Sequence, residues 1–513
     1  MGGHRSRSFH LFALGIVLLT VLTRLPSELH PQAIDDENMY SVVANAIVDG
    51  GRPYIDVVDR KPPLLFWTYA AVFEAAGEFN WKALHEVAVV WTLLTMAGLY
   101  VIGARLFNRE TGLIAALLYS VFQPWGNFKD LAFNGEVLMN LPIVWAWAIG
   151  FRRSSSPVRP ELLASGALLC AGFLLKQPAA IAAVPLGIYL LLPSYRRARG
   201  VSWTVSITHA TLLTIGFFAT LGGVAVVLWK QNILGGAFYW TVEDHSIPHV
   251  FWTKGVLVTL VFLGACLPLA IGAAMGARRD SALWRDKSAE RTALLGLLVV
   301  SVIGVSAGAR FYPHYYIQLI PPLALLAAPF YAQLWSGERR APYWLLRPKI
   351  TYIWLTLTVI TFSVIHWKTH LSQSQLSEGE EYISRHSTPD DRIFVWGQRA
   401  RIYLNTRRRP ACRYAGTFPL TGYIFGGLRG VDTRARILPG AWNNLEEDFA
   451  KHPPRYIVGT SCNPRDSYSI RDFPILAKLL AQRYRPVART DEGVIYALRT
   501  QRISYENRNH FQY

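Results

Sequence analysis

The chain has 513 residues, 51% of them hydrophobic and 13% aromatic, and a formal net charge of +18. This combination points to a polytopic membrane protein with basic loops. It argues against a nucleic-acid binder, because the bases punctuate apolar runs and no basic cluster belongs to a soluble recognition fold.

Apolar runs approaching roughly 17 to 25 residues give about eleven predicted spans. In chain order they lie at 9–25, 84–104, 112–124, 136–150, 161–176, 178–193, 205–229, 255–276, 292–308, 317–335 and 350–367, the third to sixth being short. The first follows basic residues as a signal peptide would, but no small-x-small cleavage site follows Arg24-Leu25-Pro26, so it reads as an uncleaved anchor. Lys and Arg accumulate on the cytoplasmic side of short loops. Arg5/Arg7, Arg105/Arg109, Arg152/Arg153/Arg159, Arg196/Arg197/Arg199, the basic group at 278–291 and that at 339–349 fall on alternate connections. The N-terminus is therefore expected in the cytoplasm. Segments 26–83, 125–135, 230–254 and 309–316 are expected on the outer face of the cytoplasmic (inner) membrane, with everything after about residue 370.

Loop 26–83 is long for a connection between spans, and long loops are often functional. It holds "DDENMYSVVANAIVDGGRPYIDVVDRKPP". Apolar residues at helical spacing in "YSVVANAIVDGG" predict an amphipathic helix along the membrane surface, with Asp35, Asp36 and Glu37 in its first turn. Acids there stabilise the helix N-terminus, although one cap needs one acid and not three. The two prolines are expected to stop any helix from beginning before Leu64, holding Lys61 at the water–lipid boundary. A lysine so placed reads equally as a phosphate ligand or as a snorkelling side chain.

"DDENMY", a helix, and then "DRKPPLLFW" resemble the first external loop of membrane glycosyltransferases of the GT-C fold. The similar groups are the lipid A aminoarabinose transferases, the lipopolysaccharide galacturonosyltransferases and, more distantly, the protein O-mannosyltransferases. The resemblance implies a helical membrane domain at 1–369 with its catalytic loop at 26–83. It also implies transfer of a sugar from a polyprenyl-phosphate carrier to a lipid, glycan or protein acceptor of the cell envelope. It makes Asp36 the catalytic base, followed by Glu37, with Asp35 one position away; Tyr40 matches a family tyrosine and Lys61 a lysine that binds the carrier phosphate. Met39 and Arg60 stand where the aminoarabinose enzymes have an arginine and a glutamate.

Such a transfer needs a base for the acceptor hydroxyl and cations for the departing phosphate, and no general acid. Further candidates on the outer side are Arg310 and His314 in "GARFYPHYY", Arg60 beside Lys61, and Lys176 in "LLKQPAA" for the donor. Glu136 in "FNGEVLMN", and Glu243, Asp244 and His245 in "FYWTVEDHS", are weaker candidates for sugar or acceptor contacts. No His/Cys/Asp/Glu set has persuasive metal spacing and no cofactor is implied with certainty, although divalent ions assist some proteins of this fold. The absence of GxxxxGK[ST] argues against nucleotide hydrolysis as the power source. A transporter or flippase of lipid-linked sugars is the alternative reading, but it would place substrate groups on broken helices near mid-bilayer.

Residues 370–513 read as a soluble α/β domain with a mainly parallel or mixed sheet. Its repeated helix-then-strand order runs "EGEEYISRH"/"DRIFVWG", "NNLEEDFAKH"/"RYIVGT" and "PILAKLLAQRY"/"GVIYALR". Cys170 and Cys266 fall in spans as packing residues. Cys412 and Cys462 lie in the exported tail, where an oxidising compartment would permit a disulfide.

Overall fold

The computed structural model describes residues 2–31, 34, 36–126, 128–153, 158–243, 251–278, 282–338, 340, 347–373, 376–423, 432–460 and 468–499. Two compact units divide at Gln375/Leu376.

The first unit is helical: α1 Gly2–Leu29, α2 Asp36–Val48, α3 Pro63–Ala76, α4 Trp81–Leu106, α5 Arg109–Phe122, α6 Gly135–Gly150, α7 Glu161–Leu175, α8 Ala183–Leu191, α9 Pro193–Arg199, α10 Trp203–Lys230, α11 Leu234–Phe238, α12 Trp252–Ala265, α13 Leu267–Gly276, α14 Ser288–Ser306, α15 Ile320–Trp335 and α16 Pro348–Gln373. All eleven apolar segments are helical. Six helices are long and apolar enough to cross a membrane, or up to eight if two bent pairs each count as one span. The segment read as one span at 255–276 is such a pair, bent by 83° between α12 and α13. Pro268, in the first turn of α13, accounts for the break, because proline cannot continue a preceding helix.

Helix α15 forms the centre of the unit, and most of its residues are buried. Elsewhere the long helices expose Leu, Val and Ile on their outer faces, as along α10 and α12, which suits contact with lipid. Helices α7 and α10 pack backbone on backbone. A Cβ on Gly166 would collide with Leu213 O, and one on Gly216 with Leu163 O. Small residues permit this approach where apolar burial gives no driving force between helices.

Helix α2 is covered by protein more fully than its single apolar stripe suggests. Glu37 and the run Tyr40–Asn45 are buried, so neighbours cover more than one face. The covering element is α3, whose Phe66 and Tyr69 rings meet Tyr40 at 6.4 and 5.6 Å. Helix α3 begins at Pro63, one residue earlier than expected, because proline is pre-organised for the first helical position and its missing N–H has no partner to lose there.

The second unit carries a five-stranded mixed sheet of order β2-β1-β3-β5-β4, with β1 Arg392–Trp396, β2 Arg409–Pro410, β3 Tyr456–Thr460, β4 Tyr484–Thr490 and β5 Gly493–Leu498. Strands β1, β2 and β3 are parallel neighbours, whereas β5 is antiparallel to β3 and β4. Helices α17 Glu378–His386, α18 Arg401–Thr406, α19 Phe418–Thr421, α20 Ala441–Lys451 and α21 Pro474–Arg483 complete it. Each expected helix–strand pair forms. Strand β4 was not expected: its Pro486 and three charged or polar neighbours disguise an edge strand, where proline is tolerated. Buried Cys412 has its sulfur 3.4 Å from Tyr414 O, while Cys462 lies outside the described residues.

The α7–α10 contact gives a controlled test. Gly166→Val should lower the thermal unfolding midpoint in detergent by several degrees. Gly15→Ala, where a Cβ meets nothing within 4 Å, should leave it unchanged or raise it slightly.

Candidate functional site

The first turn of α2 carries two carboxylates with separate environments. Glu37 is fully buried, and both its oxygens are engaged. Oε1 accepts from Phe133 N at 2.6 Å, and Oε2 accepts from Ile34 N at 2.7 Å and lies 3.2 Å from His85 Nε2. The other ring nitrogen of His85 lies 3.0 Å from Ser27 O. A ring with an acceptor at each nitrogen donates from both, so Glu37 and His85 form a buried ion pair. It ties α2 to α1, to α4 and to the chain just before α6.

Asp36 points elsewhere, with 42% of its side chain exposed. Its Oδ2 accepts from the Tyr40 hydroxyl at 3.3 Å and lies 3.8 Å from His314 Nε2, a buried nitrogen with no hydrogen bond. Burial pushes the Asp36 carboxyl up, but the basic side chains around it, Lys61 first and then His314, Lys176 and Lys129, outweigh burial and hold it below the ordinary aspartate value. Asp59 shows the opposite balance. Burial dominates there, Lys61 and the Arg60 amide only partly offset it, and its carboxyl is raised.

Lys61 is half-buried at the end of a tight loop and, among the described residues, forms no ion pair. Its backbone is fixed from two sides. Tyr54, itself at φ 68°, donates its hydroxyl to Lys61 O at 2.7 Å, and Gln177 Nε2 donates to Arg60 O at 2.8 Å. The second bond joins this loop to the residue after Lys176.

Lys176, a candidate for the donor, is held in an ion pair. Its buried ammonium is hydrogen-bonded to Glu136 Oε1, and it also lies 4.7 Å from the centre of the Tyr315 ring. The aliphatic stem of Lys176 crosses Gly135, where a Cβ would come within 2.7 Å of Cδ. Glu136, expected as a sugar or acceptor contact, is thus the partner of this lysine, although its Oε2 has no hydrogen bond. Exposed Glu243 pairs with none of these groups among the described residues; Asp35, Asp244 and His245 lie outside them.

Arg310 is half-buried between Ala309 and Phe311, both at φ 49°. The left-handed region costs a non-glycine residue roughly 1–2 kcal/mol, so the surrounding packing must hold this conformation. It does: Phe251 N donates to Ala309 O at 3.0 Å, and the Phe311 ring lies on Gly255.

Two lysines of the cationic set carry no expectation from sequence. Lys129 stands in a short 3-10 turn, Phe128–Leu131, held by buried Arg24, which donates to Leu131 O at 3.2 Å and to Gln123 Oε1 at 2.6 Å. Lys254 stands in the first turn of α12, 4.0 Å from the centre of the Tyr312 ring. A lysine at the outer end of an apolar span, on the face that carries the acidic loop, was the available signal. Among the described residues no three His, Cys, Asp or Glu side chains are grouped so as to hold a metal ion.

Residues 60–225 match the dolichyl-phosphate-mannose-protein mannosyltransferase family. In structure the chain is similar to ArnT from Cupriavidus metallidurans bound to undecaprenyl phosphate, at 14% identity and TM-score 0.62, covering 96% of this chain and 98% of that one. The apo form of the same protein matches at 13% identity with the same coverage and score. The archaeal oligosaccharyltransferase AglB from Archaeoglobus fulgidus, in complex with an inhibitory peptide and a dolichol-phosphate, matches at 12% identity and TM-score 0.52, covering 88% and 69%. The fold is that of the GT-C membrane glycosyltransferases. No curated protein sequence matches the chain.

Removing one member of a buried ion pair typically costs about 3–5 kcal/mol, because the other charge is left uncompensated. Lys176→Met should therefore unfold at a markedly lower temperature than wild type in detergent. The double variant Glu136→Gln/Lys176→Met should recover most of the loss.

Proposed function

We propose that the chain is an inverting glycosyltransferase that moves a sugar from a polyprenyl-phosphate carrier to a hydroxyl of a cell-envelope lipid, glycan or protein. It would work at the outer face of the cytoplasmic membrane, with its N-terminus inside and residues 370–513 outside. The observation that carries this reading is the division of labour in the first turn of α2. Glu37 is consumed by structure, whereas Asp36 is partly exposed among cations and has lone pairs to offer.

In the proposed step the acceptor oxygen attacks the anomeric carbon as its proton passes to Asp36. The bond from that carbon to the carrier phosphate oxygen breaks, the electron pair leaves with the phosphate, and the anomeric centre inverts. Lys61 is the cation on the departing phosphate, because its charge is otherwise uncommitted among the described residues. It influences Asp36 without forming an ion pair with it, a separation suited to a sugar ring between them. His314 and Tyr40 keep the Asp36 carboxylate oriented.

The depressed Asp36 pKa gives donor binding a second effect. A carboxylate held low is a weak base. When a phosphate dianion neutralises Lys61, the largest cationic influence on Asp36 is offset and the carboxylate becomes more basic. The donor thus activates the base.

Asp36→Asn in lipid nanodiscs should lose at least about a thousandfold in transfer from a radiolabelled polyprenyl-phosphate sugar panel to membrane extract, at the upper part of the range typical for general bases, while still binding undecaprenyl phosphate. Transfer by the variant at the wild-type rate would remove Asp36 from the mechanism; carrier binding without transfer by either protein would favour a flippase. Lys61→Gln removes the main influence that lowers the Asp36 pKa. Beyond weakening donor binding, it should move the acid limb of the single-turnover pH–rate profile to higher pH, and a limb that stays in place would count against the coupling.

A further inference from the structure

Lys254 lies beyond the groups that act on Asp36. Its ammonium rests over the Tyr312 ring at 4.0 Å; that ring stacks on His314 with centroids 5.7 Å apart, and His314 Nε2 lies 3.8 Å from Asp36 Oδ2. Two rings therefore separate Lys254 from the proposed base. Among the described residues Lys254 has no ion pair and no hydrogen bond from its ammonium; its neighbours are two aromatic faces and two further cations, Arg310 and Lys129.

Two features make this a constructed arrangement. The segment presenting Arg310 is held with positive φ on both sides of that residue and is tied to the start of α12 by the Phe251–Ala309 hydrogen bond. The first turn of α12 has no side-chain cap, so its amide dipoles add positive potential where Lys254 stands. Like charges brought together by packing, with an ammonium left unpaired, call for an anion.

We propose that Lys254, with Arg310 beside it, forms a second oxyanion subsite, distinct from the Lys61 position, that binds a phosphate-class group of the substrates. The proposal rests on the transfer reading, since the group belongs either to the acceptor, within a short reach of the hydroxyl facing Asp36, or to the carrier as a second phosphate.

The test uses the full-length protein in phosphatidylcholine nanodiscs, with radiolabelled pyrophosphate and radiolabelled undecaprenyl phosphate as probes. Lys254→Gln should weaken pyrophosphate binding about tenfold or more, since charge-assisted hydrogen bonds are the strong ones, and leave undecaprenyl phosphate binding within about twofold. Lys254→Arg should retain pyrophosphate, and Lys61→Gln should weaken undecaprenyl phosphate more than pyrophosphate. Displacement of pyrophosphate by saturating undecaprenyl diphosphate, but not by the monophosphate, assigns the group to the carrier; persistence against both assigns it to the acceptor. Wild-type pyrophosphate binding that is undetectable or unchanged by Lys254→Gln would overturn the subsite, as would loss of both probes together or displacement by the monophosphate. If wild type binds no undecaprenyl phosphate while Lys254-dependent pyrophosphate binding persists, the transfer reading fails and the subsite stands.

Discussion

The geometry around Asp36 depends on the burial of its neighbour. Glu37 satisfies two backbone amides and pairs with a histidine that is itself anchored on a third segment. A carboxylate with that many partners, removed from water, leaves α2 one rotational setting. Consecutive residues on a helix point about 100° apart, so fixing Glu37 inward fixes Asp36 toward the cations. The catalytic candidate is oriented by the residue beside it, and needs only light contacts from Tyr40 and His314.

The same economy governs the cationic side. Lys176 contributes field without being available, because Glu136 holds it. Lys61 is available because the surrounding loop satisfies its own backbone through Tyr54, Gln177 and the Asp56–Arg52 pair and makes no demand on the ammonium. Under the proposed transfer, such a mixture supplies a fixed background charge and an uncommitted ammonium for the departing phosphate.

Much of this was legible in the sequence, and what was not has definite causes. The acid cluster, the proline stop and the apolar and alternating runs are local signals, and they located the helices of the first unit, the strands β1, β3 and β5, and the loop that carries Asp36 and Lys61. The division between Asp36 and Glu37 is tertiary: it depends on His85 and on Phe133, distant in the chain, and nothing in "DDEN" distinguishes a staple from a base. The pairing of Lys176 with Glu136 was hidden for the same reason, since both read singly as polar residues at helix ends. Lys254 was hidden by its apolar neighbours, which made it look like the margin of a span. The bend at Cys266 was visible as Pro268 within an apolar run, a signal outweighed by the run's length. The burial of α2 was not visible at all, because its apolar stripe states that one face is covered and is silent about the others.

Helices α5, α6 and α7 are 14, 16 and 15 residues long. At 1.5 Å per residue, the longest rises about 24 Å, short of a hydrocarbon core of about 30 Å. Helices α5 and α6 are buried along almost their whole length, so neighbouring helices rather than lipid cover them and their shortness is absorbed inside the unit. The turn that carries Lys129 and the first turn of α6, which carries Glu136, therefore end short of where a full-length span would end. Helix length, and not only side-chain identity, thus sets the depth at which these two charged groups stand.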